Sequence, residues 1–188
     1  MESSALPRLI ARDYDGVPWY YEPPVYLPHR FILGTVGEKP LACIGINPST
    51  ARPGALDNTL KSVQRLALVN GFDSFLMFNV YAQRATRPND MERVCNEALH
   101  RANMEAFDYI LSLSEQPAVW AAWGNIIEQR AYLKDCLADM IAIGERHGAQ
   151  WYTAGRRSVK GHPHHPLYLK ATSPLDAFDI RAYCAECL

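Results

Sequence analysis

Short apolar runs alternate with longer amphipathic stretches along the chain, and each run stops at polar or turn-forming residues. Residues 41–46 are such a run and end in Asn47-Pro48-Ser49-Thr50, the pattern of a buried strand entering a loop. Asp57, Asn58 or Thr59 then offers a helix cap ahead of Leu60, Val63, Leu66 and Ala67, which recur at helical spacing, with Gly71 as a stop signal. Residues 75–80 read as a second strand, followed by a polar loop over 81–90. A helical pattern over 91–113, weakened in its middle, leads to a third strand at 118–122, closed by Trp123-Gly124. A helix over 126–146 and a fourth strand at 150–153 come next, then a polar loop over 154–166 and a last helix around 175–183.

The first forty residues break this rhythm. Tyr14, Trp19, Tyr20, Tyr21, Pro23, Pro24, Tyr26 and Pro28 crowd there, and proline fixes φ and removes backbone donors. Residues 1–40 are therefore expected to form a Pro- and aromatic-rich arm over the domain, with one short strand near 30–34.

Strands alternating with helices imply parallel pairing through right-handed crossovers. The expected architecture is one α/β domain over residues 1–188, a three-layer α/β/α sandwich around a four-stranded, mainly parallel sheet. Ligands of such sheets bind beyond the carboxyl ends of the strands. The polar residues with chemical potential fall at those ends. Asn47 and Ser49 follow the first strand; Asn79 ends the second, with Gln83, Arg84 and Thr86 behind it. Trp123, Gly124 and Asn125 follow the third, and His162, His164, His165 and Tyr168 follow the fourth.

Composition narrows the classes. With 48% hydrophobic and 21% charged residues in 188, the chain is globular in character. No apolar stretch is long enough to span a bilayer, so no membrane association is expected. The start, with Glu2, Pro7 and Arg8, lacks a basic-then-apolar leader, and a cytoplasmic location is the default expectation. A formal net charge of −1 argues against a long DNA-binding face, because phosphate neutralisation by basic residues supplies most non-specific affinity. It leaves room for a small basic patch: Arg156, Arg157, Lys160, His162, His164, His165 and Lys170 lie close together, either as solvated surface or as part of a site. Five cysteines suggest no disulfide framework. Cys184 and Cys187 form a lone C-x-x-C without the second pair that zinc would need, so neither metal nor cofactor is expected.

Several of these segments resemble the uracil-DNA glycosylase superfamily. Gly45-Ile46-Asn47-Pro48 resembles the first active-site motif of the mismatch-specific branch. Leu76-Met77-Phe78-Asn79-Val80 resembles the strand whose terminal Asn reads the uracil edge in the classical branch. Ala122-Trp123-Gly124 resembles the third-strand ending, and His165-Pro166-Leu167-Tyr168 resembles the loop that carries the catalytic histidine and enters the duplex. A bacterial and phage family of unknown function resembles the chain over nearly its whole length, in Ile46-Asn47-Pro48-Ser49-Thr50-Ala51, in Asn79 followed by Arg84-Ala85-Thr86, and in Gly161 with His165-Pro166-Leu167-Tyr168-Leu169. The chain departs from the glycosylases in having Ser49-Thr50-Ala51 where they place Gly or an aromatic residue, and Leu167 where they place Ser.

The resemblance implies a glycosylase-like site in which Asn47 and His165 are catalytic. Asn47 would hold a water, since an amide cannot act as a general base, and His165 would donate to the departing base. Ser49, Asn79, Arg84, Thr86, Trp123, His162 and Tyr168 would bind substrate, with Asn79 supplying the donor and acceptor of a base-edge reader. A base in duplex must be flipped out, and Leu167 and Tyr168 are apolar enough to fill the space it leaves. Each residue also has a plainer role open to it: Asn47 in a turn, Asn79 on buried backbone, Arg84 tying its loop to a carboxylate, Trp123 in the core. Three functions remain open. The first is action on a nucleobase in nucleic acid, including N-glycosidic hydrolysis; the second is non-catalytic binding of nucleic acid or nucleotide; the third is a hydrolase or transferase of a small nucleoside-like molecule. The oligomeric state is not legible in the sequence.

Overall fold

Eight strands form one sheet: β1 (Arg12–Tyr14), β2 (Val17–Glu22), β3 (Ile32–Thr35), β4 (Pro40–Gly45), β5 (Ser74–Asn79), β6 (Ala118–Ala121), β7 (Gln150–Ala154) and β8 (Leu175–Ala177). Their order across the sheet is β1-β2-β3-β5-β4-β6-β7-β8. The computed structural model describes Leu9–Leu188; residues 1–8, which carry the reading of the N-terminus from Glu2, Pro7 and Arg8, lie outside the described residues.

The four apolar runs of the sequence are the middle of this sheet. β4 pairs in parallel with β5 and β6, and β6 with β7. Strand side chains alternate between faces. Leu41 and Cys43 face one side with Phe75, Met77 and Trp120; Ala42 and Ile44 face the other with Leu76, Phe78, Val119 and Ala121. Helix α1 (Asn58–Val69) covers the first face through Leu60, Val63, Leu66 and Ala67. Helices α2 (Glu97–Leu111), α3 (Tyr132–Arg146) and α4 (Ile180–Cys187) cover the second, through residues such as Phe107, Leu137, Met140 and Tyr183. The result is three layers.

The expectation of a four-stranded, mainly parallel sheet is corrected to a mixed, eight-stranded one. The extra strands are all antiparallel: β1, β2 and β3 extend one edge, and β8 closes the other. The first forty residues are thus more regular than their prolines suggest. Pro23, Pro24 and Pro28 fall in the connection between β2 and β3, while Pro18 sits near the sheet edge, where a missing donor is tolerated.

Three helices are shorter than their periodicity predicts, and the one expected over 126–146 divides into a 3₁₀ turn, Gly124–Glu128, and α3, Tyr132–Arg146. The pattern over 91–113 becomes helical at Glu97, because Asn96 caps α2 by accepting from the Leu99 amide at 3.1 Å. Its own amide is taken by the Tyr81 hydroxyl at 2.9 Å, which holds the preceding segment off the helix axis. The segment 175–183 divides into β8 and the start of α4, since Asp179 caps α4 by accepting from Ala182 at 2.9 Å. Among the described residues, no helix is long and apolar enough to cross a membrane.

Candidate functional site

The loops leaving the parallel strands must cross the carboxyl edge of the sheet, and there they surround a cavity of about 720 Å³. The loop after β4 is pinned across this edge by backbone bonds: Val80 N donates to Gly45 O and Tyr81 N to Ile46 O, both at 2.9 Å, and Ala85 N to Pro48 O at 3.0 Å. Asp57 caps α1 by accepting from Leu60 N at 2.9 Å, which turns the N-terminus of that helix toward the cavity. The Ser62 hydroxyl of α1 donates to Pro166 O at 2.9 Å and thereby seats the short 3₁₀ turn Pro166–Tyr168. Gly124 adopts φ +61°, which favours glycine, and a Cβ there would touch His165 Cβ at 3.7 Å and Pro163 O at 3.9 Å, so the β6 and β7 loops meet closely there.

Six of the sequence-predicted residues line this cavity: Asn47, Ser49, Asn79, Thr86, His165 and Tyr168. Asn79 lies at the floor, 1% exposed, with neither amide atom hydrogen-bonded among the described residues. Its backbone is held by Asn103, whose Nδ2 donates to Asn79 O at 2.8 Å. The amide is packed beside Gly45, where an added Cβ would stand 3.1 Å from Asn79 Oδ1 and 2.6 Å from the Met77 methyl, so glycine is required for this approach. A buried amide with no partner costs about 1–3 kcal/mol, and most buried polar groups do not carry that cost.

Asn47 is half committed. Its Nδ2 donates to Ala85 O at 2.6 Å and to Pro48 O at 3.2 Å, which leaves Oδ1 as the acceptor that can hold a water. At His165, the Leu167 amide donates to Nδ1 at 3.3 Å, so the neutral ring carries its proton on Nε2. Burial pushes the His165 pKa below its ordinary value, opposed by the Asp57 carboxylate, and this favours that neutral donor form. Tyr168, 78% exposed, stands at the rim beside Leu167.

Arg84, Trp123 and His162 are placed elsewhere. Arg84 is spent on backbone carbonyls: its guanidinium donates to Leu27 O at 3.0 Å, to Ala51 O at 3.4 Å and to Ser49 O, and it stacks on Tyr26 at 4.2 Å. Trp123 is wholly buried against Phe178 and Tyr183. His162 is 1% exposed behind the cavity, between the Tyr183 hydroxyl at 2.9 Å and Glu128 at 3.2 Å.

Two charged lining residues were not anticipated as site residues. Asp57, read as a cap, is the one carboxylate among the lining residues. Arg30, read as part of the arm, is 1% exposed and donates through Nη1 to Ala51 O at 3.1 Å, with Nε unpartnered. Burial and the neighbouring Arg84 push its pKa down to about 9, with Asp57 pulling it back up, so it stays charged at neutral pH. Asn58, Thr59, Asn125, Ser158 and His164 complete the polar lining. Among the described residues no group of three or more His, Cys, Asp or Glu side chains is placed to hold a metal ion.

A family model described as "Protein of unknown function (DUF1643)" matches residues 30–167. The chain belongs to this family. The matched span opens on Arg30 and closes on Leu167, so it takes in every cavity-lining residue except Tyr168. It leaves out β1, β2, β8 and α4, the outer elements of the molecule. No curated protein and no solved structure matches the chain.

Proposed function

We propose that the cavity receives a nucleobase and that the protein is a glycosylase-like enzyme acting on the N-glycosidic bond of that base. The observation that carries this reading is Asn79, a buried amide at the cavity floor with its donor and its acceptor both unspent. That pair matches the adjacent donor and acceptor on the edge of a pyrimidine, and a bound base would replace the missing partners. The resemblance of residues 76–80 to the base-reading strand of the uracil-DNA glycosylases supports the same assignment.

The surrounding groups fit the bond cleavage. Water attacks C1′ of the sugar, the C1′–N bond breaks, and its electron pair leaves with the base. His165 Nε2–H points its proton at the charge building on a base carbonyl, a type of contact worth about 3 kcal/mol when preorganised. Asn47 Oδ1 holds the water but takes no proton from it. Asp57, the carboxylate of the lining, is the group able to accept that proton. Leu167 and Tyr168 at the rim have the apolar surface to fill the gap left by a flipped base.

The test is release of free base from labelled oligonucleotides carrying uracil, hypoxanthine, mismatched thymine or alkylated bases, single- and double-stranded, and from the corresponding mononucleotides. We expect one of these to be cleaved, with Asn79→Ala and His165→Ala each reducing turnover about a hundredfold or more. A substrate bound through Asn79 but never cleaved would replace the enzyme by a binding module. Binding and cleavage indifferent to Asn79→Ala would end the base-reading assignment.

A further inference from the structure

Arg30 and Arg84 share the Ala51 carbonyl as acceptor, yet no carboxylate lies within 4.0 Å of either guanidinium among the described residues. Arg84 at least has a partner at each of its three nitrogens, carbonyls at Nε and Nη1 and the Tyr21 hydroxyl at 3.3 Å from Nη2. The Arg30 guanidinium makes a single hydrogen bond among the described residues, although Arg30 is 1% exposed and borders the cavity. A buried charge without a counter-charge is costly, and natural folds keep such groups paired or supply the partner from outside. Asp57 supplies some compensation, felt by Arg30 as a charge rather than as a bonded partner. Among the described residues, one carboxylate against two neighbouring guanidiniums leaves one cation over.

The end of α1 points the same way. Asn58 and Thr59 head this twelve-residue helix and line the cavity, and amides of a first turn have no acceptor within their own helix. They add partial positive charge next to Asp57, the α1 cap whose charge Arg30 feels.

We propose that Arg30 and the N-terminus of α1 form a phosphate subsite, so that the ligand of the cavity is a nucleotide phosphate ester rather than a free base or nucleoside. This extends the base-reading assignment and rests on it for the identity of the group beside the phosphate. The phosphate comes from either of two sources, a 5′-mononucleotide or the backbone of a nucleic-acid strand.

The experiment titrates the full chain by calorimetry with inorganic phosphate, with uridine and 5′-UMP, and with a short oligouridylate lacking terminal phosphates. Three proteins are compared: wild type, Arg30→Met and Asp57→Asn. The wild type should bind 5′-UMP about tenfold or more tighter than uridine, and Arg30→Met should erase that ratio. Asp57→Asn keeps an N-cap while removing a nearby negative charge, so it should tighten phosphate and 5′-UMP severalfold. An Arg30-dependent gain with 5′-UMP alone assigns a free nucleotide; the same gain with the oligonucleotide assigns backbone phosphate. Equal affinity for uridine and 5′-UMP, or a ratio unchanged in Arg30→Met, overturns the subsite. Should Arg30→Met fail to fold, the Arg30 Nε–H resonance of wild type must shift on adding phosphate, and a resonance that stays put overturns the proposal equally. Phosphate binding through Arg30 with no Asn79-dependent gain from the base would leave this subsite standing and sink the base reading. Uridine binding through Asn79 with no gain from phosphate would do the reverse.

Discussion

Two polar sites, one behind the cavity and one at its floor, are hydrogen-bonded in opposite ways. Behind the cavity, Tyr183 accepts from Trp123 Nε1 at 2.9 Å and meets His162 Nδ1 at 2.9 Å. His162 continues to Glu128 at 3.2 Å, whose other oxygen takes Lys160. Every member has a partner, and the chain ties α4 to the loop that precedes His165. At the cavity floor Asn79, just as buried, has none on its side chain. The first arrangement is what stability selects. The second has no structural benefit, which is why it points to something that arrives from outside.

The sharpest way to break this contrast is to open the closed network. Tyr183→Phe keeps the packing against Trp123 and Phe178 but strands Trp123 Nε1 and His162 Nδ1. The expected loss is about 2–4 kcal/mol in chemical denaturation, with ligand binding by the folded fraction unchanged. A loss below about 0.5 kcal/mol would mean that the network is no more satisfied than the cavity floor, and the comparison would fail.

Asn79→Leu runs the same experiment at the open end and should give the opposite result. It removes two unpartnered polar atoms at nearly constant volume, so stability should hold within about 1 kcal/mol or rise. Base-dependent binding should disappear. A stability loss as large as that of Tyr183→Phe would show that Asn79 is bonded in the free protein and has nothing to offer a ligand.

The same contrast explains which site residues were legible in the sequence. Asn47, Ser49, Asn79, Thr86, His165 and Tyr168 follow parallel strands, and strand direction alone brings them to one edge. Arg84, Trp123 and His162 follow the same strands, but their side chains turn away from the cavity. Position in a loop does not encode which side a side chain takes; that is decided by partners distant in the chain, such as Leu27, Tyr183 and Glu128. Arg30 was missed for a topological reason. β3 pairs antiparallel with β5, so Arg30, two positions before β3, reaches the edge where β5 ends. A charged residue directly ahead of the apolar Phe31-Ile32-Leu33 was the available signal. The three-residue strands β1 and β8 are too short to display a period of two, and the prolines in and after β2 hid its strand character; of the antiparallel strands only β3, expected as a short strand near 30–34, was legible.

The smallest effect concerns two histidines in different loops, His165 after β7 and His29 between β2 and β3. His165 is lowered below its ordinary value of 6.5 because burial penalises the imidazolium, with Asp57 opposing. The unfolded chain therefore takes up this proton at higher pH than the folded chain does. Above 6.5 both forms are neutral and this contribution to stability is fully present; as pH falls through 6.5 and then through the folded value it is lost, and below both it stays lost. His29 is shifted in the same direction, by burial and by Arg84, so a bulk stability curve mixes the two. Site-resolved NMR separates them: the His165 ring resonance should titrate with a midpoint below 6.5, and His165→Gln should remove part of the acid slope of stability while leaving that of His29. Asp57→Asn removes the opposing charge and should move the His165 midpoint lower still. A midpoint at or above 6.5 would mean that the ring is solvated and largely protonated in mild acid, and the neutral Nε2 donor assigned to the cavity would then lose its physical basis.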